Sequence, residues 1–158
     1  MKLARTIRLD ESDENVFDHP AGVGEWAISG GFEFANWTED DLKGKQRQAF
    51  ANGWLSLESG GRATFVAVAD ILDTEYNALV DQLAHRFVAE FGAPSVEVAR
   101  PVALEELEHM RHMCEDQVDN TLLMVSRTLE EVGVHEAYRY SAPHDAELEA
   151  FAVHGSVD

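Results

Sequence analysis

Residues 105–116, EELEHMRHMCED, carry the densest set of reactive side chains in the chain: two histidines three apart, one cysteine and five carboxylates. On a helix, at about 100° per residue, Glu105, His109, His112 and Asp116 form one strip. Leu104, Leu107, Met110 and Cys114 form the opposite, apolar one. Imidazoles at i and i+3, with carboxylates a turn to either side, are a donor set for a divalent Zn, Mn, Fe or Ni ion. The same pattern is also what any solvated helix face presents, since acid–histidine neighbours one turn apart support a surface helix by themselves. Glu106 and His109 have the Glu-x-x-His spacing of di-iron bundles. Such bundles need a second copy and two further glutamates on other helices, and the chain has no second copy. Cys114 lies on the apolar stripe, away from His112, so a buried structural cysteine is expected rather than a nucleophile.

A second candidate is basic. Lys43, Lys45 and Arg47 stand close to Trp37, Phe50 and Trp54, and arginine flanked by aromatics is enriched at interface anchors. Trp26, Phe34, Trp37 and Trp54 could also line a pocket for a small molecule. Two glycine motifs fail. Residues 21–27, AGVGEWA, fit Gly-x-Gly-x-x-Ala but follow Asp-His-Pro rather than an apolar strand. Gly44-Lys45 lacks both the upstream glycine and the following Ser or Thr of a phosphate loop.

These residues need a scaffold, and composition bounds what it can be. The chain has 158 residues, 45% hydrophobic and 27% charged, ordinary values for one globular domain, so 1–158 is read as a single domain. Thirty acidic against 12 basic residues leave a net charge of −18. That field repels phosphate backbones and anionic membrane surfaces, so neither nucleic acid nor membrane is expected as a partner. No run approaches the ~18 apolar residues of a membrane span, and no signal-type apolar region follows Met1. The cytoplasm is the expected location. One cysteine excludes an intramolecular disulfide and a multi-cysteine metal site.

The elements follow from periodicity. KLARTIRLD alternates like a strand. GEWAISGGFEFANW suggests two short strands, or a strand and a bulge, around Gly30-Gly31. Thr38 before three acids marks a helix start. Residues 54–71 look like a hairpin turning at Ser59-Gly60-Gly61, its second arm apolar enough for a central strand. Tyr76, Leu79, Val80, Leu83, Phe87 and Phe91 define a helix that Gly92 and Pro94 end. PSVEVARP reads as another short strand. Leu104, Leu107, Cys114, Val118, Leu122, Val125, Leu129 and Val132 then suggest a long C-terminal helical segment, continuous or broken near Asp119-Asn120. Tyr138 and Tyr140 fit a strand end, residues 145–155 a short helix, and 137–158 a loosely packed tail. The expected fold is α+β, a mainly antiparallel sheet packed by two or three helices.

Three blocks, GEWAISGGFEFANW, LKGKQRQAFANGWLSLES and GRATFVAVADI, together resemble an uncharacterised family of short proteobacterial proteins of about this length, over residues 2–100. The resemblance implies a bacterial protein and transfers no site residues.

The resulting expectation is a small acidic, non-catalytic accessory or interaction protein that forms a homodimer, with the surplus of the long helix buried in the contact. No cofactor is expected. The rival reading is a small metal-dependent enzyme using Glu105, His109, His112 and Asp116 with a divalent metal. A further one is a small-molecule binding protein with the aromatic-lined pocket.

Overall fold

The computed structural model describes residues 1–143. Its frame is a seven-stranded antiparallel sheet: β1 Lys2–Ile7, β2 Trp26–Ile28, β3 Trp54–Ser56, β4 Arg62–Ala63, β5 Phe65–Asp70, β6 Leu122–Glu130 and β7 Gly133–Ser141. The order is β4-β3-β2-β1-β5-β6-β7. Only Thr64 separates β4 from β5, yet β4 pairs with β3 while β5 pairs with β1 and β6. One extended run is thus shared between the end of the sheet and its middle, and the sheet must curl to allow it. The bend has a local cause. Thr64 gives its backbone N–H and hydroxyl to the buried carboxylate of Asp13, at 3.3 and 2.7 Å, instead of to a strand. Leu3 and Ala4 point to opposite faces of β1 and are both fully buried, so both faces are covered there.

Four helices complete the described residues: α1 Ser12–Val16, α2 Gly44–Asn52, α3 Asp73–Phe91 and α4 Val96–Cys114. Helices α3 and α4 pack on each other, and α4 also packs on β1 and β2, while α2 lies against β6. The stripe expected for α3 is buried as far as Phe87, with Tyr76, Leu79, Val80, Leu83 and Phe87 inside; its last member, Phe91, is exposed, and Gly92 ends the helix at φ 75°. A left-handed residue there favours glycine, which has no β-carbon to clash.

Four expectations about elements need correction. Residues 94–101 are not a strand. Ser95 accepts the Val98 N–H on its hydroxyl at 3.2 Å and caps α4, with Pro101 inside the helix. Proline removes one backbone donor, but burial of Ala99, Ala103, Leu107, Met110 and Cys114 favours the helix. The long C-terminal helix is absent: α4 stops at Cys114, the chain turns with Asn120 at φ 71°, and β6 follows. Leu122 and Val125 are sheet core, and Val132 is 96% exposed at the tip of the β6–β7 turn, so no surplus apolar helix remains for a dimer to bury. Gly30-Gly31 leads into a 3-10 turn, Gly31–Phe34, rather than a second strand. Thr38 caps a 3-10 turn, Glu39–Asp41, whose Asp41 carboxylate accepts the Thr38 N–H at 2.8 Å; α2 starts later, at Gly44. Of the tail expected over 137–158, residues 137–141 belong to β7. The helix expected at 145–155 lies outside the described residues.

Candidate functional site

The most unusual feature of the interior is a pair of buried arginines. The Arg127 side chain has no exposed surface, and Arg62 is 6% exposed. A buried guanidinium is tolerable only when its donors are taken. Arg127 gives hydrogen bonds to the carbonyls of Ser29 at 2.5 Å, Gly53 at 2.8 Å and Phe50 at 3.0 Å. Arg62 reaches Gly53 and Gly30 carbonyls at 3.0 and 3.1 Å and the Glu33 carboxylate. The two guanidiniums lie 4.6 and 5.2 Å from the Phe34 ring. Burial lowers the Arg62 pKa to about 10 against the opposing charge of Glu33. Together they pin residues 29–31. A β-carbon on Gly30, whose φ is 72°, would overlap Leu55, and one on Gly31 would overlap the Glu136 carboxylate.

From this anchor a hydrogen-bonded chain runs outward. The β6–β7 register sets Glu136 opposite Arg127. Glu136 Oε2 accepts from Arg127 Nε and from the Ser29 hydroxyl, both at 2.6 Å, and Oε1 accepts the Tyr138 phenol proton. His109 Nε2 lies 2.9 Å from the same phenol oxygen, and the Tyr138 ring stacks on Trp54 at 6.0 Å. Burial pushes Glu136 upward, but the charge of Arg127 and the bonds from Ser29, Tyr138 and Arg127 outweigh it and hold the carboxyl below its ordinary range. Burial and the bond to Glu136 raise the Tyr138 phenol.

This wall faces a cavity of about 610 Å³ between α4, β7 and the 29–35 segment. A second, apolar cavity of about 290 Å³ adjoins it, walled by Phe32, Phe87, Phe91, Val98 and Val102. Phe32 and Glu106 line both. Val98, Val102, Glu106 and His109 stand one turn apart on α4, so a single helix face passes from apolar to polar along the cleft. Glu106 is half-buried there. Burial first, then the negative charges of Glu136 and Glu105, raise its pKa, and no hydrogen bond to the described residues offsets them.

The residues singled out from sequence are dispersed relative to this cleft. Glu105 and His112 are exposed, and Asp116 lies beyond the end of α4. His109 alone of the four faces the cavity. Among the described residues, no three His, Cys, Asp or Glu side chains are grouped so as to hold a metal ion. Cys114 is fully buried, and burial pushes its thiol up to about 12, which disfavours the nucleophilic thiolate. Lys43, Lys45 and Arg47 are exposed. Trp37 packs edge-on to Phe34 at 4.8 Å and, with Phe34 and Lys45, lines a separate cavity of about 210 Å³. Trp26, Phe34 and Trp54 are buried. The aromatic side chains of the larger cleft are instead Phe32, Phe87, Phe91 and Tyr138. Ser29, Glu136, Arg62 and Arg127 escaped the sequence reading; a period-two trace through Leu123, Val125 and Arg127 was the available signal.

Fold and cleft define an α+β protein with a curled antiparallel sheet and an arginine-anchored polar cleft beside an apolar one. The chain belongs to the family of unknown function DUF6505, whose model matches residues 1–158. The likeness therefore extends over the whole chain rather than over residues 2–100. No curated protein and no solved structure matches it. No helix among the described residues is long and apolar enough to cross a membrane.

Proposed function

We propose that the protein binds a small organic molecule in the cleft between α4 and β7. The observation that carries this reading is the convergence of Ser29, Glu106, His109, Glu136 and Tyr138 on one open cavity, next to an apolar trough. Concave sites with a few convergent polar groups on an apolar background, and carboxyls shifted in opposite directions, are the usual mark of a ligand site. The polar wall is also pre-organised. Arg127 and Glu136 fix it from inside, so little ordering cost falls on binding. The interaction-protein expectation rested on the missing catalytic motif and on one long helical stripe; the chain instead divides that stripe between α4 and β6, with Leu122 and Val125 in the sheet core and Val118 and Val132 exposed.

A nitrogen-15-labelled sample titrated with a mixed set of amine, carboxylic acid and neutral fragments tests this reading. Amide shifts should gather at residues 29–32, 102–109 and 134–138. Ala35 is exposed on the rim of the cavity, so Ala35→Trp should obstruct entry and suppress those shifts. Binding that maps elsewhere, or that Ala35→Trp leaves unchanged, contradicts the proposal.

A further inference from the structure

We infer that the ligand of this cleft is an organic cation with an apolar chain: an ammonium group held at Glu106 and a hydrocarbon chain laid along the phenylalanine trough. The inference rests on the small-molecule reading above and adds the chemical class.

Among the described residues, the polar cavity has side-chain acceptors to spare, and the hydroxyl donors on its wall are already taken. Ser29 and Tyr138 both give their hydroxyl protons to Glu136. The phenol oxygen then takes the proton on His109 Nε2. Glu106 faces the same space with no side-chain donor among the described residues. No lysine or arginine lines either cavity. The nearest guanidinium, Arg127, is fully buried behind Glu136 and committed to it and to four carbonyls. An anionic head group would meet two carboxyls and, apart from the His109 imidazole, no basic side chain among the described residues. A cationic one supplies the missing charge and the missing donors together.

The trough supplies the other half. Phe91, Val98 and Val102 are 45%, 57% and 50% exposed, large apolar side chains left to water on adjoining turns of α3 and α4. From Glu106 back to Val98 the cleft runs about 12 Å along α4, at 1.5 Å per residue. A chain leaving a head group at Glu106 passes Phe32, which stands edge-on to Phe87 and Phe91 at 5.1 and 5.5 Å. Covering that surface adds binding in proportion to apolar area. The charged groups facing Glu106 are Glu105 on its own helix and Glu136 on β7, with His109 and Tyr138 beside them. A bound ammonium opposes the effect of both carboxylates, so amine binding drives Glu106 to ionise and strengthens as pH rises through its pKa.

The test titrates the protein with n-octylammonium, n-octanol and n-octanoate, followed by calorimetry and by amide shifts. Octylammonium should bind at residues 29–32 and 98–109, more tightly than either congener, and butylammonium more weakly. Glu106→Gln should weaken octylammonium by roughly tenfold or more, since one charge-assisted contact is removed. Val98→Ser, about 12 Å along α4 from Glu106 and past the reach of a butyl chain, should weaken octylammonium more than butylammonium. In the unaltered protein, salt should weaken octylammonium but not octanol. If octanol or octanoate binds the cleft as well as octylammonium, or Glu106→Gln binds octylammonium unchanged, the cation assignment is wrong while the ligand site stands. If neither these probes nor the mixed fragments bind the cleft, both fall.

Discussion

Replacing Glu106 by glutamine should stabilise the protein at neutral pH, even though it removes the residue assigned to the ligand. Glu106 is half-buried, and burial, Glu136 and Glu105 all disfavour its charged form in the folded chain. Its folded pKa therefore lies above the unfolded value near 4.5. A group raised in this way costs nothing below the unfolded pKa, and destabilises fully once pH exceeds the folded pKa. Glutamine keeps the shape and deletes the charge. The expected gain at pH 7 is about 1 kcal/mol, within the usual yield of relieving a surface or cleft charge. For a chain of this size that corresponds to a rise of roughly 2–4 °C in Tm. Thermal and urea melts of both proteins, run from about pH 4 to pH 7, measure it. The difference should be largest at pH 7 and shrink toward zero at the acid end, below the unfolded pKa. A variant that is equally or less stable at neutral pH, or a gain that does not change with pH, refutes the assignment of Glu106 as a carboxyl stressed by burial and by its acidic neighbours. A residue that weakens the fold and faces a cavity fits selection for binding rather than for stability.

The anchor beneath the cleft should behave in the opposite way. Arg127→Met leaves Glu136 buried without its cation and takes this donor from the Phe50 carbonyl, while Arg62 still reaches the Ser29 and Gly53 carbonyls, so urea denaturation should show a loss of about 3–5 kcal/mol; Arg127→Lys should not restore it, because one ammonium cannot span that fork of acceptors. Glu108 links α4 to α3: bonds from Arg111 first, and from Tyr76, hold its carboxyl at about 2, against the pull of burial. Its stabilising effect is present above pH 4.5 and lost as pH falls toward 2. Glu108→Gln should cost about 1 kcal/mol at neutral pH after solvent screening, and the cost should vanish in acid melts. Leu123→Ala, at a fully buried position of β6, should cost about 2–5 kcal/mol in the same assay.

The parts of the fold that sequence conveyed are those where one periodicity dominates. Helix α3 has its stripe, its acidic first turn and its terminal Gly92; β5 has Val66 and Val68 at period two, both fully buried. The failures come from segments where two periodicities coincide. In β6, Leu122, Val125 and Leu129 stand at helical spacing, and the strand period through Leu123 and Val125 is masked because the next inward residue is Arg127. A buried arginine looks like surface until its partner on the opposite strand is known, and Glu136 becomes that partner only through the β6–β7 register. In α4, Val96 and Val98 alternate and Pro101 looks like a stop, which hid the helical line Val98, Val102, Glu106, His109. The Glu106–His109 spacing was visible, and both do face one cavity. Their companions Ser29, Glu136 and Tyr138 come from β7 and from the end of β2, far away in the chain, so spacing alone could not join them.

A crystal structure of the protein soaked with n-octylammonium tests the proposed site most directly. The expected result is ammonium density within about 3 Å of the Glu106 carboxylate, with the hydrocarbon chain between Phe32, Phe91, Val98 and Val102. Density for the amine elsewhere, with the cleft empty at a concentration that saturates binding in solution, would contradict it.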